Sequence, residues 1–257
     1  MQFGLIGEKL GHSISPAIHK KIFDMLQINA SYNLFPVPKS KIEQLGDWIK
    51  IFGIAGLNVT IPYKEKVINQ LDYISQEAKD IGAVNTIANI SGKLHGYNTD
   101  YYGLGDMLNV NNVSLSNKIV TVLGTGGSSK AVLAYLKNQN TKEIYLVSRI
   151  KTENCIDYSN LKDINGDIII NTTPLGMYPN IEDSPVSSNI IEKYETLIDL
   201  IYNPEQTQFL KIGANLGKKT ISGMYMLISQ AAKSAEIWHK REITATMLSE
   251  IQKEVII

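Results

Sequence analysis

The chain has 257 residues, 44% hydrophobic and 19% charged, with 25 basic and 25 acidic side chains and no formal net charge. That length holds one large domain or two modest ones with real cores, and the even charge balance gives no support to a nucleic acid or an anionic membrane as partner. A single cysteine, Cys155, excludes an intramolecular disulfide and fits a reducing cytoplasm, while four scattered histidines beside one thiol make a poor metal set.

No apolar run has membrane-spanning length, and residues 1–7 lack the basic-then-apolar design of a secretory signal. Residues 3–7 read instead as a short buried strand. Ser15-Pro16 then opens a helix, with serine suited to the cap, proline to the first turn, and Ile18, Ile22, Met25 and Leu26 as the apolar stripe. A strand (31–35), a helix (39–51) and a strand (53–58) follow, a βαβαβ pattern that implies a largely parallel sheet with right-handed crossovers. Residues 63–71 predict a further helix with Lys64 in its first turn, where a cation opposes the helix dipole. Between 83 and 97, two strand-like stretches flank Ser91-Gly92, a two-residue hairpin turn. If Ile90 pairs with Lys93, Asn85 lies opposite Asn98, and Asp100 falls on the same face within roughly 7–8 Å of Asn85. Thr99-Asp100 would cap a helix over 101–108. From Lys118 a second alternation begins, with strands at 119–123, 143–148, 167–170, 196–200 and 219–221, helices between them, and closing helices near 223–235 and 238–253.

Two kinds of chemistry are written on this frame. Gly124-Thr125-Gly126-Gly127-Ser128 follows the strand 119–123 and precedes the apolar helix 131–136, with Ser129 small enough for close helix–strand packing. Such a turn lets backbone N–H groups approach a pyrophosphate at a helix N-terminus. About twenty residues on, an NAD site usually places an acid for the ribose 2′-hydroxyl. Here Ser148-Arg149-Ile150-Lys151 stands at that strand end, and the bases suit the 2′-phosphate of NADP. The second kind lies upstream. Ser13 and Ser15, Thr60, Lys64, Asn85 and Asp100 supply the hydroxyls, amide, ammonium and carboxylate that a small polyhydroxylated acid needs. Lysine and carboxylate together can move the hydroxyl proton as hydride passes to or from the neighbouring carbon. His12 and His19 read as packing or surface groups. Tyr202 follows a buried-looking strand, where ligand-facing residues gather, and Gly223 and Gln230 stand two helical turns apart on one face.

The set as a whole is specific. Gly11-His12-Ser13-Ile14-Ser15-Pro16, Asn58-Val59-Thr60-Ile61-Pro62-Tyr63-Lys64, Gly82-Ala83-Val84-Asn85-Thr86, Asn98-Thr99-Asp100 and Gly124-Thr125-Gly126-Gly127 resemble the shikimate dehydrogenase family. So do Asn171-Thr172-Thr173-Pro174-Leu175-Gly176-Met177 and Gly223-Met224-Tyr225-Met226-Leu227 with Gln230-Ala231. The resemblance implies an α/β protein of two α/β domains with a cleft between them. Residues 1–101, completed by a C-terminal helix at 237–257, would form a mainly parallel-sheet substrate domain, and residues 102–236 an NADP-binding Rossmann domain. It further implies reversible reduction of 3-dehydroshikimate to shikimate on the chorismate route to aromatic amino acids, without a metal, by a cytoplasmic monomer or homodimer. By motif position Ser13, Ser15, Thr60, Lys64, Asn85, Asp100, Tyr202 and Gln230 would contact substrate, with Lys64 transferring the proton and Asp100 beside it. Gly124, Thr125, Gly126, Gly127, Ser128, Ser148, Arg149, Leu200 and Gly223 would hold the cofactor. The chain departs from the family at Ser128, commonly alanine, at Ser229, commonly glycine, at Ser148 and Ile150, and at Glu153, where a second base usually falls. The competing readings are a quinate or dual-specificity dehydrogenase using NAD, and a non-catalytic dinucleotide-binding regulator, which would be expected to lack Lys64 or Asp100.

Overall fold

The structure, a computed structural model, describes residues 1–11, 13–150 and 152–255; His12 and Lys151, named above, lie outside the described residues, as do the last two positions of the expected helix 237–257. Its contacts divide the chain into two units, Met1–Gly103 with Ile228–Ile257, and Leu104–Leu227.

The first unit runs β1 (Gln2–Gly7), α1 (Ser15–Met25), β2 (Ser31–Pro36), α2 (Leu45–Ile51), β3 (Gly56–Val59), β4 (Tyr73–Ile74), α3 (Gln76–Ile81), β5 (Thr86–Ile90) and β6 (Lys93–Tyr97). Its sheet has the order β2-β1-β3-β5-β6-β4. β1 is parallel to both β2 and β3, as the βαβαβ reading requires, and the β5–β6 hairpin adds the antiparallel part. The hairpin register is Ile90↔Lys93 and Thr86↔Tyr97, with Ser91 and Gly92 both at positive φ, the backbone that a two-residue turn of this hand demands. The short strand β4 and helix α3 are additions that the sequence pattern does not announce.

Three expectations need correction here. Ser15 does not cap α1: the cap position is Ile14 and Ser15 already lies in the helix, its hydroxyl taken by Ser13. The helix over 39–51 is split into a 3-10 turn, Lys39–Gln44, and α2. The wedge is the Gln70 amide, which accepts from Gly46 N at 2.9 Å and donates to Ile42 O at 3.0 Å, the two groups an unbroken helix would join to each other. The helix over 63–71 does not form either. After one α-type bond, Val67 N to Tyr63 O, the segment continues as short turns and a 3-10 turn at Ile68–Gln70. So short a helix, under about 12 residues, is marginal on its own, and here Tyr63 is fully buried with its hydroxyl donated to Val37 O while Gln70 is committed elsewhere. Lys64 therefore sits on a turn, and the opposing helix dipole is absent.

α4 (Asp100–Val110) leads into the second unit, which continues β7 (Ile119–Leu123), α5 (Gly127–Lys137), β8 (Glu143–Ser148), β9 (Ile156–Asp157), β10 (Ile168–Asn171), α6 (Ser188–Ile191), β11 (Thr196–Asp199), α7 (Gln208–Asn215) and β12 (Lys219–Ser222). Every pairing between these named strands is parallel, in the order β12-β11-β10-β7-β8-β9. The chain thus starts at the centre of the sheet with β7 and winds outward to both edges, the doubly wound dinucleotide-binding topology. Alternate strand residues feed opposite cores, as a sheet covered on both faces must. Val120, Ile168 and Ile170 pack with Leu104, Val132 and Leu136, whereas Ile169 and Leu197 pack with Leu161, Tyr194 and Phe209.

The chain closes with α8 (Met224–His239) and α9 (Ala245–Val255). Trp238, expected to start the last helix, instead lies in the last turn of α8: its ring stacks on Phe3 at 4.7 Å and its Nε1 donates to Ile87 O at 3.0 Å. These contacts, with Ser234 bonded to Asn58, explain why α8 from Ile228 onward groups with the first unit rather than from residue 237. No helix among the described residues is long and apolar enough to cross a membrane.

Candidate active site and dinucleotide site

In the first unit the ends of β3, β5 and β6 and the start of α4 bring their polar side chains to one place. Lys64 Nζ donates to Asp100 Oδ2 at 2.6 Å, and the two side chains are only 11% and 9% exposed. Asn85 Nδ2 donates to Asp100 Oδ1 at 2.8 Å, so both carboxylate oxygens are engaged. Asn85 Oδ1 in turn accepts from Thr99 N at 2.7 Å, which ties the residue before α4 to the hairpin. The face shared by Asn85 and Asp100 is thus realised, and as a direct hydrogen bond.

Behind this group lies a second layer of polar side chains, one that the motif spacing leaves without a role. Asn58 Nδ2 donates to Ser234 Oγ at 2.8 Å and to Thr86 Oγ1 at 3.1 Å, and Asn58 Oδ1 accepts from Tyr32 at 2.8 Å. Ser234 Oγ also lies 3.2 Å from Thr99 Oγ1, and Gln230 Oε1 3.5 Å from it. Ser234 carries a sequence signal, standing one helical turn after Gln230; Tyr32 carries none. Ser13 and Ser15 form their own pair, with 3.1 Å between hydroxyls. Thr60 is half-buried at the end of β3, and its carbonyl accepts from Tyr63 N at 2.9 Å. Tyr202 belongs to the second unit.

His19 is fully buried, stacked on Tyr32 at 4.0 Å, and neither ring nitrogen has a hydrogen-bond partner among the described residues. Burial pushes its imidazole from 6.5 down to about 3. The unfolded chain takes up this proton near pH 6.5 and the folded one only near 3, so stability is lost as pH falls through that window. At pH 5 the loss amounts to about 2 kcal/mol. Thermal melts of His19→Phe between pH 7 and 5 should therefore fall less steeply than those of the parent; parallel slopes would refute the assignment.

In the second unit the turn after β7 is shaped for close approach. Gly124 has φ +103°, and a Cβ there would meet Thr172 Oγ1 and Thr173 Cγ2 at 2.9 Å. Gly126 faces open space at the cap of α5, where no side chain among the described residues caps the helix N-terminus. Ser129 is buried and donates to Gly126 O at 2.8 Å, which braces the turn. A pyrophosphate fits such a cradle. At the end of β8, Ser148 Oγ accepts from Ile150 N at 3.3 Å, and exposed Arg149 lies near enough to Tyr158 to oppose the burial that raises that phenol. β9, unforeseen, pairs Asp157 with Ser148 at this edge. Gly223 admits no side chain, since a Cβ would lie 2.2 Å from Leu200 O. Asp199 is buried, and its carboxyl is pushed up to about 6 by desolvation, against hydrogen bonds from Thr207, Ile201 and Asn171. Among the described residues no group of three His, Cys, Asp or Glu side chains is placed to hold a metal ion.

This is the architecture of the two-domain, nicotinamide-dependent dehydrogenases. Residues 5–87 match the model of the shikimate dehydrogenase substrate binding domain. The chain is 50% identical over 250 residues to shikimate dehydrogenase (NADP(+)) of Clostridium beijerinckii, covering 94% of this chain and 93% of that one. Shikimate dehydrogenase 1 of Peptoclostridium difficile superposes with a TM-score of 0.95 at 50% identity, covering 99% of this chain and 97% of the other. The shikimate 5-dehydrogenase of Thermus thermophilus, solved in complex with NADP(H) and shikimate, gives 0.89 at 26% identity with 99% of each chain covered. The chain belongs to the shikimate dehydrogenase family.

Proposed function

We propose that the protein is an NADP-dependent shikimate dehydrogenase, an oxidoreductase acting on a CH–OH group, which reversibly reduces 3-dehydroshikimate to shikimate on the way to chorismate and the aromatic amino acids. The observation that carries this reading is the largely buried Lys64–Asp100 pair at 2.6 Å, held by Asn85, in a member of this family. The first unit, with Ser13, Ser15, Thr60, Asn85 and Gln230, holds the acid. Residues 124–128, Ser148, Arg149, Leu200 and Gly223 of the second unit hold NADP.

NADPH, when bound, supplies the hydride. Lys64 gives its proton to the carbonyl oxygen as that oxygen becomes a hydroxyl, and takes it back in the reverse direction. Asp100 fixes the ammonium and accepts from the substrate hydroxyl, while Asn85 keeps the carboxylate from turning away. The serine hydroxyls donate to the substrate carboxylate. As part of the same reading the enzyme works in the cytoplasm as a monomer or homodimer. Initial rates with shikimate and quinate, each with NADP+ and NAD+, test the assignment. Shikimate with NADP+ should be the best pair; a quinate and NAD+ pair that matched it would transfer the assignment to quinate.

A further inference from the structure

The reaction as proposed leaves one buried acid unused. Asp199, at the last position of β11, accepts from Asn171 Nδ2 at 3.0 Å and Ile201 N at 3.1 Å on Oδ1, and from Thr207 Oγ1 at 2.6 Å on Oδ2. Asn171, its register partner on β10, holds the next loop, accepting on Oδ1 from Thr173 N at 3.0 Å and Thr173 Oγ1 at 2.7 Å. Thr207 caps α7. One carboxylate thus joins the loop after β10, the loop after β11 and the start of α7. A buried acid is costly to keep ionised, and an apolar side chain would fill the space more cheaply. Three donors converging on it imply a geometric task.

That task can be read from what the anchored peptides carry. Leu200 N donates to Asn171 O at 3.0 Å, and Gly223 N donates to Ile201 O at 3.1 Å. Leu200 and Tyr202 flank the residue whose N–H Asp199 accepts, and Gly223 packs against Leu200 O. We infer that Asp199 is a positioning residue: by clamping Asn171, Ile201 and Thr207 it sets Leu200, Tyr202 and Gly223 for hydride transfer, without touching substrate or cofactor. This rests on the proposed roles of those three residues. The Asn171-Thr172-Thr173-Pro174 motif thereby gains a purpose, as the other half of the clamp.

The test compares Asp199→Ala, Asp199→Asn and Thr207→Val in shikimate oxidation, with NADP+ varied and thermal melts recorded on the same samples. Asp199→Ala leaves three donors unanswered and should lower kcat about tenfold or more, while the KM for NADP+ moves less than about threefold because residues 124–128 and Arg149 are untouched. Asp199→Asn still accepts on Oδ1 and can donate to Thr207, so its kcat should return to within about threefold of the parent. Thr207→Val, which removes the hydroxyl on Oδ2 and with it the acceptor for Leu210 N at the cap of α7, should lose about threefold in kcat. A folded Asp199→Ala with parental kcat overturns the inference, as does a loss in which the KM for NADP+ rises in step or which Asp199→Asn fails to relieve. Should Asp199→Ala not fold, parental kcat in Thr207→Val overturns it equally. A parent inactive on shikimate overturns the functional reading and this inference with it, whereas an active parent with unaffected variants overturns this inference alone.

Discussion

Replacing Lys64 with alanine is expected to lower kcat for shikimate oxidation by about a hundredfold or more, with little change in substrate affinity. The reason lies in what remains. Asp100 keeps its bond from Asn85 at 2.8 Å, and the hydroxyls of Ser13, Ser15 and Thr60 are untouched, so the groups proposed to bind the acid persist. What goes is the proton donor and acceptor, 2.6 Å from its carboxylate partner. Lys64→Arg should fare little better, because a guanidinium stays protonated and its planar fork does not reproduce a compact ammonium. Asp100→Asn offers the complementary case: the amide can take over the bond from Asn85 only by turning its oxygen toward it, which points its N–H groups at the Lys64 ammonium. Steady-state rates at saturating NADP+ decide. Turnover within a few fold of the parent in Lys64→Ala would remove Lys64 from the chemistry.

The second large effect concerns cofactor choice. Arg149→Ala should reduce kcat/KM for NADP+ by about ten- to a hundredfold, the scale of losing a charge-assisted contact with a phosphate, and leave NAD+ within about twofold. Arg149 is exposed at the end of β8, with the Ser148 hydroxyl accepting from Ile150 N beside it. Glu153 stands close by in sequence, on a tight turn between Thr152 and Cys155, where the family commonly has a second base. With Glu153 in that place, the bases the sequence offers for the 2′-phosphate are Arg149 and Lys151, and the substitution isolates the share of Arg149. Equal losses with both dinucleotides would show that Arg149 supports the fold of this edge rather than reading the 2′-phosphate.

Much of this site was legible because its signals are local. Ser91-Gly92 dictates a two-residue turn, the turn sets the register, and the register puts Asn85 and Asp100 on one face; each step follows from backbone geometry alone. The glycine turn after β7 is legible for the same reason, since a φ of +103° excludes most side chains. The failures share a different cause. Gln70 splits a helix that lies some two dozen positions before it in the chain, and Trp238 prolongs α8 because Phe3 and Ile87 await its ring. Tyr32 reaches Asn58, and Asp199 gathers Asn171 and Thr207, through contacts that exist only once strands are laid side by side. Sequence spacing names the strand ends; it does not say which amide will answer which carboxylate.

The most direct test is a crystal structure of the complex with shikimate and NADP+, read at a single distance, from Lys64 Nζ to the hydroxyl on the carbon that gives up hydride. The account predicts a hydrogen bond of about 3 Å, with Asp100 still against the ammonium. An ammonium directed into solvent, with that hydroxyl held by other groups, would contradict it.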